Sequence, residues 1–143
     1  MATTQQSEQP AHVPRPLPVP TSLTRLFWDA CKRGELLFQR CTRCGQSIFP
    51  PQAFCPHDLD TALSWERAGG IGIVYSFTIV ERPQTPAFDV PYVVGIVELE
   101  EGYLMMTNIV DCAPEEVKIG MPVEVRYEAQ SDEITLPFFR PRQ

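Results

Sequence analysis

The sequence predicts a mainly β protein with an N-terminal helix, in which a cysteine ribbon is followed by a small β-barrel. Three observations support this: apolar residues at helical spacing between residues 23 and 31, two cysteines separated by two residues, and five strand-like runs beyond residue 70. A length of 143 residues accommodates a small module joined to one ordinary domain, but not two large cores.

The chain divides into three predicted parts: a flexible tail at 1–20, a helix and ribbon at 21–68, and a barrel domain at 69–143. Five prolines fall between residues 10 and 20. Each proline removes a backbone donor and restricts the preceding residue, so neither helix nor sheet propagates there. The Gly69-Gly70 turn marks the boundary between the second and third parts.

The predicted helix begins at Ser22 and carries an apolar stripe at positions i, i+3, i+4, i+7 and i+8. Thr21 or Ser22 is expected to cap it, because a hydroxyl oxygen satisfies a free N–H of the first turn. Gly34 is expected to end it, since glycine readily adopts the left-handed conformation. The stripe consists of Leu23, Leu26, Phe27, Ala30 and Cys31.

The five strand-like runs are rich in Val, Ile, Tyr and Phe and are separated by turn signals. Residues 123–128 alternate strictly between apolar and polar or charged side chains, which predicts one buried face. Residues 93–97 are apolar on both faces, so we expect both faces to be covered. The runs are 71–81, 91–99, 103–110, 121–128 and 132–136.

Charge is distributed unevenly along the chain. Residues 1–70 carry seven Lys/Arg and six Asp/Glu, whereas residues 71–143 carry five and twelve. The total of −6 disfavours binding to nucleic-acid phosphates, which depends on clustered basic side chains. No apolar run approaches the roughly 18 residues of a membrane span. We expect a cytoplasmic protein, in which five cysteines serve as metal ligands or buried thiols.

The cysteine spacing predicts a metal site. Cys41 and Cys44 are followed by Gly45, which allows a tight turn with both sulfurs facing one ion. Cys55 follows after ten intervening residues, the spacing of a second such turn in ribbon folds. The expected cofactor is a structural zinc ion, because a small ribbon has too little apolar core to fold alone.

The fourth ligand is open at this stage. Asp58 stands where a second complete cysteine pair would place its last cysteine, and a carboxylate oxygen is an acceptable zinc ligand. His57 is the commoner donor type, but the turn would have to rotate it inward. Asp58 is therefore favoured, with His57 as the alternative. A packed hairpin without metal is the competing interpretation.

Other catalytic chemistry is sparse. The two histidines are His12, in the tail, and His57, beside the cysteines, so a nucleophile–histidine pair would need one of these positions. No phosphate-binding glycine loop with Lys and Ser/Thr is present. Two proline-stiffened aromatic segments, 83–92 and 136–141, are instead expected to need a partner or to pack on one another.

An ordered set of motifs resembles a known family, the zinc-ribbon and OB-fold proteins first labelled as a domain of unknown function (type thirty-five) and associated with acyl-CoA metabolism. The match extends from about residue 22 to the end. The motifs are Phe27-Trp28, Gly34-Glu35-Leu36, Cys41-x-x-Cys44-Gly45, Phe49-Pro50-Pro51, Cys55-Pro56, Trp65, Gly70-x-Gly72-x-Val74-Tyr75-Ser76, Val117-x-Ile119-Gly120-Met121-x-Val123 and Pro137-x-Phe139-Arg140-Pro141.

The resemblance implies a rubredoxin-like zinc ribbon and a five-stranded OB barrel in a companion subunit of thiolase-superfamily enzymes. Such companions are expected to support the partner and its acyl-CoA channel in thiolytic, condensing or retro-aldol chemistry, including steroid side-chain degradation. The catalytic groups then belong to the partner. The chain departs from the family pattern at Asp58, where a fourth cysteine is expected.

Acyl-CoA or partner contacts are expected at basic side chains of the first half and at aromatic residues of the two proline-stiffened segments. The alternative function is an OB-fold module for single-stranded nucleic acid, with Tyr75, Phe77 and Tyr103 stacking on bases. The predicted contact residues are Arg25, Lys32, Arg33, Arg40, Arg43, Phe88, Phe138 and Phe139.

Overall fold

The computed structural model describes residues 13–143, and the first twelve residues of the predicted tail lie outside that range. The described part is mostly β, with one short helix, a ribbon sheet and a closed five-stranded barrel, which confirms the predicted fold class. The elements are α1 (Arg25–Lys32), the ribbon strands β1 (Leu36–Cys41), β2 (Ser47–Ile48) and β3 (Leu63–Ala68), and the barrel strands β4 (Ile71–Val80), β5 (Tyr92–Leu99), β6 (Leu104–Ile109), β7 (Pro122–Ala129) and β8 (Thr135–Pro141).

Helix α1 is shorter than predicted. A turn precedes it, in which the N–H groups of Thr24 and Arg25 donate to the Thr21 carbonyl at 3.2 and 2.9 Å. Thr24, the residue directly before the helix, makes no side-chain cap. Of the two predicted caps, Thr21 is confirmed, because its hydroxyl accepts the Thr24 N–H at 3.3 Å. Gly34 ends the helix as expected, with a φ of +75°.

Only part of the predicted apolar stripe is buried. Phe27, Ala30 and Cys31 enter the core, whereas Leu23 and Leu26 are 39% and 54% exposed. The helix packs on β1, β7 and β8.

The ribbon is a three-stranded sheet of order β2-β1-β3. Strand β1 is antiparallel to β3 over six pairs, from Leu36 opposite Ala68 to Cys41 opposite Leu63. On its other side β1 pairs with β2 at Gln39 and Arg40. This register places Cys41 at the end of the central strand, where the chain turns back.

The barrel has the strand order β4-β5-β6-β8-β7 and closes from β7 to β4. Its core includes Val74, Val97, Val123 and Phe139, all without measurable exposure. Strands β6 and β8 are parallel and pair at Ile109 and Phe139 alone.

The last strand, β8, begins and ends later than the predicted run 132–136, and it contains Pro137 and Pro141. Proline is unfavourable within a central strand, since it cannot donate to the ladder. Here the backbone of Pro137 faces β6, where its carbonyl accepts the Thr107 hydroxyl at 2.9 Å. Because β6 meets β8 at one pair only, the missing N–H removes no ladder bond.

The ribbon and barrel share one apolar core, joined by Tyr103. The Tyr103 ring stacks between Phe38 and Phe49 of the ribbon, with centroid distances of 5.1 and 5.4 Å. Beside it the Glu101 carboxylate accepts the Gly69 N–H at 2.6 Å. The Ser47 hydroxyl donates to the Glu101 carbonyl at 2.5 Å. The two modules are therefore held together by aromatic packing and by hydrogen bonds.

Candidate metal centre and its surroundings

The first knuckle is the turn that follows β1. The Gly45 N–H donates to the Cys41 carbonyl at 2.9 Å, and the Cys41 N–H donates to the Gln46 carbonyl at 3.0 Å. Gly45 has a φ of +77°, a conformation that glycine adopts without steric cost. This turn brings the Cys44 thiol round to the side of Cys41.

The second knuckle repeats these bonds. The Leu59 N–H donates to the Cys55 carbonyl at 2.9 Å, and the Cys55 N–H donates to the Asp60 carbonyl at 2.8 Å. Leu59 takes the position of Gly45 and has a φ of +60°. Asp58 correspondingly takes the position of Cys44.

The two knuckles bring Cys41, Cys44, Cys55 and Asp58 together, with one ligand atom of each within 4.8 Å of all the others. The Cys44 and Cys55 sulfurs are 3.6 Å apart, and Asp58 Oδ2 is 3.6 Å from Cys41 Sγ. Zn–S bonds of about 2.3 Å in a tetrahedron place sulfurs about 3.8 Å apart. The donor set and its spacing therefore fit a tetrahedral zinc ion.

His57 is exposed and lies outside this cluster of ligand atoms. Its backbone N–H donates to Cys55 Sγ at 3.4 Å, which is the usual position of a residue inside a knuckle turn. The structure thus brings Asp58, and not the His57 alternative, to the three cysteines.

Backbone donors favour the charged forms of two of these groups. The Cys44 N–H, 3.5 Å from Cys41 Sγ, lowers the pKa of the Cys41 thiol. The Asp60 N–H, 3.0 Å from Asp58 Oδ1, lowers the pKa of the Asp58 carboxyl. Both hydrogen bonds stabilise the anionic form that a divalent metal requires.

The apolar material around the cluster is small. Cys41, Cys55 and Ile48 form a separate buried group, with Leu63 packed against it. Such a group contributes little hydrophobic stabilisation, so a bound ion would supply folding free energy to this end of the ribbon.

Comparison with known proteins identifies the fold family. Residues 28–64 match the family model described as the rubredoxin-like zinc ribbon domain of ChsH2. Residues 65–128 match the model described as the C-terminal OB-fold domain of ChsH2. A DUF35 domain-containing scaffold protein of Methanothermobacter thermautotrophicus is 34% identical over 130 residues, which cover 85% of this chain and 98% of the relative. The chain belongs to the DUF35 family. The resemblance drawn from the motifs is thereby confirmed, as is the zinc-ribbon character of the cysteine cluster.

Two further relatives of this DUF35 chain are longer proteins. A probable enoyl-CoA hydratase alpha subunit of Thermomonospora curvata is 41% identical over 142 residues, covering 96% of this chain and 43% of the relative. A 3-oxo-4,17-pregnadiene-20-carboxyl-CoA hydratase alpha subunit of Mycobacterium tuberculosis is 36% identical over 104 residues, covering 73% and 33%. The chain therefore spans less than half the length of these two relatives.

Solved structures agree with this assignment. A chain of a structure titled Ltp2-ChsH2(DUF35) aldolase superposes with a TM-score of 0.80 at 39% identity, covering 87% of this chain and 98% of that one. A DUF35 protein of unknown function from Sulfolobus solfataricus shares the fold, with a TM-score of 0.61 at 13% identity.

The basic residues predicted to meet acyl-CoA differ in how they are engaged within the DUF35 chain. Arg33 pairs with Glu35 at 3.4 Å, Arg43 pairs with Asp60 at 3.1 Å, and Arg40 pairs with Glu66. The exposed side chains of Arg25 and Lys32, both on α1, form no ion pair with any of residues 13–143.

The three aromatic residues predicted to make contacts also differ in how far they are buried. Phe139 is fully buried in the barrel, so its prediction as a contact residue is wrong: β8 runs through this position and turns the ring inward. Phe138 is 8% exposed and borders two apolar cavities of about 270 and 300 Å³. Phe88 is half-buried, lies 6.0 Å from the Tyr92 ring and carries the Arg15 guanidinium over its face.

The residues proposed for base stacking do not form one platform. Tyr103 is buried at the ribbon–barrel junction and Phe77 is half-buried, whereas Tyr75 is 54% exposed. The prediction that Tyr103 stacks on a base is therefore wrong. Within residues 13–143, no helix is long and apolar enough to cross a membrane.

Proposed function

We propose that this chain is a non-catalytic, acyl-CoA-associated subunit that binds and supports a thiolase-like enzyme. The observation that carries the proposal is the 39% identical chain from the Ltp2-ChsH2(DUF35) aldolase, 98% of which is matched by this chain. The hydratase alpha subunits among the relatives link the same fold to CoA-thioester chemistry by their names. The partner reaction is proposed as thiolytic, condensing or retro-aldol, with steroid side-chain degradation as one setting.

In this proposal the reacting groups belong to the partner, and the DUF35 chain contributes a binding surface for the partner and for the acyl group. The two cavities beside Phe138 share Asn108 and Leu136, so they adjoin as a groove that is mainly apolar beside α1 and partly polar beside Arg15 and Glu128. Trp28 and Pro50 line the end nearest α1. A groove of this kind suits the apolar side of a partner or of an acyl group.

The phosphates of an acyl-CoA are proposed to contact Arg25 and Lys32. Because both are exposed and make no ion pair within residues 13–143, a phosphate would displace no existing partner. Arg33, Arg40 and Arg43 would have to release Glu35, Glu66 and Asp60 first. A charge-assisted hydrogen bond to phosphate is stronger when it replaces water alone.

The metal is proposed to be structural, held by Cys41, Cys44, Cys55 and Asp58. It would fix the distance between the two knuckles and thereby the position of the ribbon on the barrel. The proposal places the complex in the cytoplasm, where reducing conditions keep three ligand thiols free.

Co-purification tests the function. A tagged copy expressed in the native host should recover a thiolase-like protein in stoichiometric amount, identified by mass spectrometry and by the mass of the complex in light scattering. Titration of the complex with an acyl-CoA in a calorimeter should give saturable binding that is weakened in the Arg25→Ala/Lys32→Ala double variant. Lys118→Ala, an exposed charge between β6 and β7, is the matched control.

Two results together would overturn the proposal: recovery of no thiolase-like protein, and no heat of binding with acyl-CoA. Salt-sensitive binding of a labelled oligonucleotide by the purified chain would replace it with the nucleic-acid alternative.

A further inference from the structure

The outer side of strands β4, β5 and β6 brings six residues onto one exposed surface, termed here the outer sheet face. The strand register places Glu98 between two apolar neighbours, Ile73 on β4 and Leu104 on β6. In the next row Ile96 lies beside Met106. The outer sheet face consists of Ile73, Tyr75, Ile96, Glu98, Leu104 and Met106.

The apolar members of this face are unusually open to solvent. Met106 is 71% exposed, and Leu104 and Ile73 are 45% and 42% exposed. The run 93–97 was expected to be covered on both sides, yet Ile96 and Val94 are half-exposed on the outer side. A contiguous apolar surface of this kind marks an interaction site.

A bulge in β4 adds an aromatic ring to the same surface. The register between β4 and β5 shifts between Val74 and Ser76, so Tyr75 is the extra residue and is 54% exposed. Bulges redirect a side chain, and they recur beside binding sites.

Glu98 is the charged centre of the outer sheet face. Its carboxylate is exposed and forms no ion pair with any residue of 13–143. Some other carboxylates of the barrel are paired, such as Glu124 with Arg140 at 3.0 Å and Asp111 with Arg126 at 2.9 Å, whereas Glu100 and Glu115 are unpaired within residues 13–143 like Glu98. Glu98 has apolar neighbours on both adjacent strands, and Glu100 and Arg142 line the same shallow pocket. A carboxylate flanked by apolar side chains has the arrangement of an interface hot spot, where surrounding contacts exclude water from a central polar pair.

We propose that the outer sheet face docks a protein surface on which an arginine or lysine, surrounded by apolar side chains, meets Glu98. The inference rests on the proposed function and takes the thiolase-like partner as the occupant. Charge complementarity selects the chemistry of that surface, since a cation beside Glu98 gains a partner as the apolar neighbours are covered. A second copy of the chain would bring two Glu98 carboxylates together, and a nucleic-acid phosphate would face the same repulsion.

The experiment measures binding of the thiolase-like protein recovered by co-purification to purified DUF35 variants in a surface-based assay. Glu98→Lys should raise Kd at least about tenfold, because it replaces attraction by like-charge repulsion. Glu98→Gln should raise Kd less and should flatten the dependence of the association rate on salt concentration. Met106→Ala should raise the dissociation rate, since it removes apolar contact area from the outer sheet face and admits water there.

Glu115→Lys is the matched control, because Glu115 is equally exposed and lies outside the outer sheet face. It should leave Kd within about twofold, and all variants should keep the wild-type unfolding midpoint. If the wild type binds and Glu98→Lys binds equally well, the inference is overturned and the proposed function stands. If the wild type recovers no thiolase-like protein, the inference is overturned, and the proposed function is overturned with it when acyl-CoA also gives no heat of binding. Dimers of the wild type that Glu98→Lys dissociates would assign the face to a second copy and overturn the inference alone.

Discussion

Asp58 occupies in the second knuckle the position that Cys44 occupies in the first, and its carboxylate lies 3.6 Å from Cys41 Sγ. The equivalence is seen in the backbone, because each knuckle closes with the same pair of hydrogen bonds. The motif resemblance predicted a fourth cysteine here, and the donor atom differs from that prediction while the turn that presents it is the same. The candidate ligand set is thus three thiolates and one carboxylate, presented by two equivalent turns.

The first prediction concerns the metal affinity of this set. Loss of groups that only orient ligands costs about 10–100-fold in affinity, so Asp58→Ala should cost at least tenfold. Asp58→Cys should bind zinc more tightly than the wild type, because thiolate is the softer ligand. Zinc content by mass spectrometry and competition with a chromophoric chelator measure both.

Asp60→Asn is the matched control for these variants. Asp60 is the neighbouring carboxylate, paired with Arg43 and outside the ligand cluster. The Asp60→Asn variant should bind zinc with an affinity close to that of the wild type. Equal affinity of wild type and Asp58→Ala would remove Asp58 from the ligand set.

The second prediction concerns Leu59, which holds a left-handed conformation beside Asp58. That conformation costs a non-glycine residue about 1–2 kcal/mol, whereas glycine loses about 0.5–1 kcal/mol through its freer unfolded chain. Leu59→Gly should therefore stabilise the zinc-saturated protein by up to about 1 kcal/mol. Urea unfolding with excess zinc measures the change.

Gly45→Ala is the mirror-image control in the first knuckle. A Cβ at Gly45 meets no atom within 4 Å, so only the backbone conformation is changed. This variant should be less stable by about 1 kcal/mol. If both substitutions shift the free energy of unfolding in the same direction, the positive φ at positions 45 and 59 does not determine the stability of the two turns.

The sequence predicted the ribbon and most of the barrel because their signals are local. Two cysteines and Gly45 specify a knuckle by spacing alone, and alternation specifies one strand at a time. The last strand was predicted too early, at 132–136, because residues 136–141 were interpreted as a separate proline-stiffened aromatic segment. The tolerance of Pro137 depends on β6 pairing with β8 at one position, which is a property of the closed barrel.

Placement of side chains between elements was less predictable for the same reason. Phe139 and Tyr103 were both predicted to make surface contacts. In the structure β8 turns Phe139 into the barrel core, and the ribbon covers Tyr103. The outer sheet face was not predicted, because residues 93–97 are apolar on both faces and both faces were expected to be covered. The register of β4, β5 and β6 places Glu98 between Ile73 and Leu104, and that register is a property of the assembled sheet.

The third prediction concerns the buried hydroxyl of Tyr103. This oxygen has no hydrogen-bond partner among the described residues, and burial raises the pKa of Tyr103 above its ordinary value. A buried polar group without a partner costs about 1–3 kcal/mol. Tyr103→Phe should therefore raise the free energy of unfolding by about 1 kcal/mol, as measured in urea, while Tyr103→Ala should lower it by about 3–5 kcal/mol through loss of both stacking contacts.

The Phe and Ala variants separate the hydroxyl from the ring. A loss of more than about 1 kcal/mol in Tyr103→Phe would show that the hydroxyl is bonded in solution. The free Oε2 atom of Glu101, buried nearby, would then be the first candidate for a water-mediated partner.

The fourth prediction concerns alkaline pH and Cys31. Burial raises the pKa of the Cys31 thiol from 9.0 to about 12. In the unfolded chain the thiol ionises near pH 9, whereas the folded protein keeps its proton, so the folded state binds more protons between these values. Stability must therefore fall as pH rises above about 9, with a slope of at most about 1.4 kcal/mol per pH unit from this group.

Urea unfolding at intervals from pH 7.5 to 10.5 measures that slope. Cys31→Ala removes the titrating group, so its stability should depend less steeply on pH than that of the wild type. Cys112→Ala is the matched control, because Cys112 is only half-buried and should change the slope less. Parallel curves for the wild type and Cys31→Ala would mean that the α1 thiol is ionised in the folded protein, and that the packing of α1 on β1, β7 and β8 does not exclude water from it.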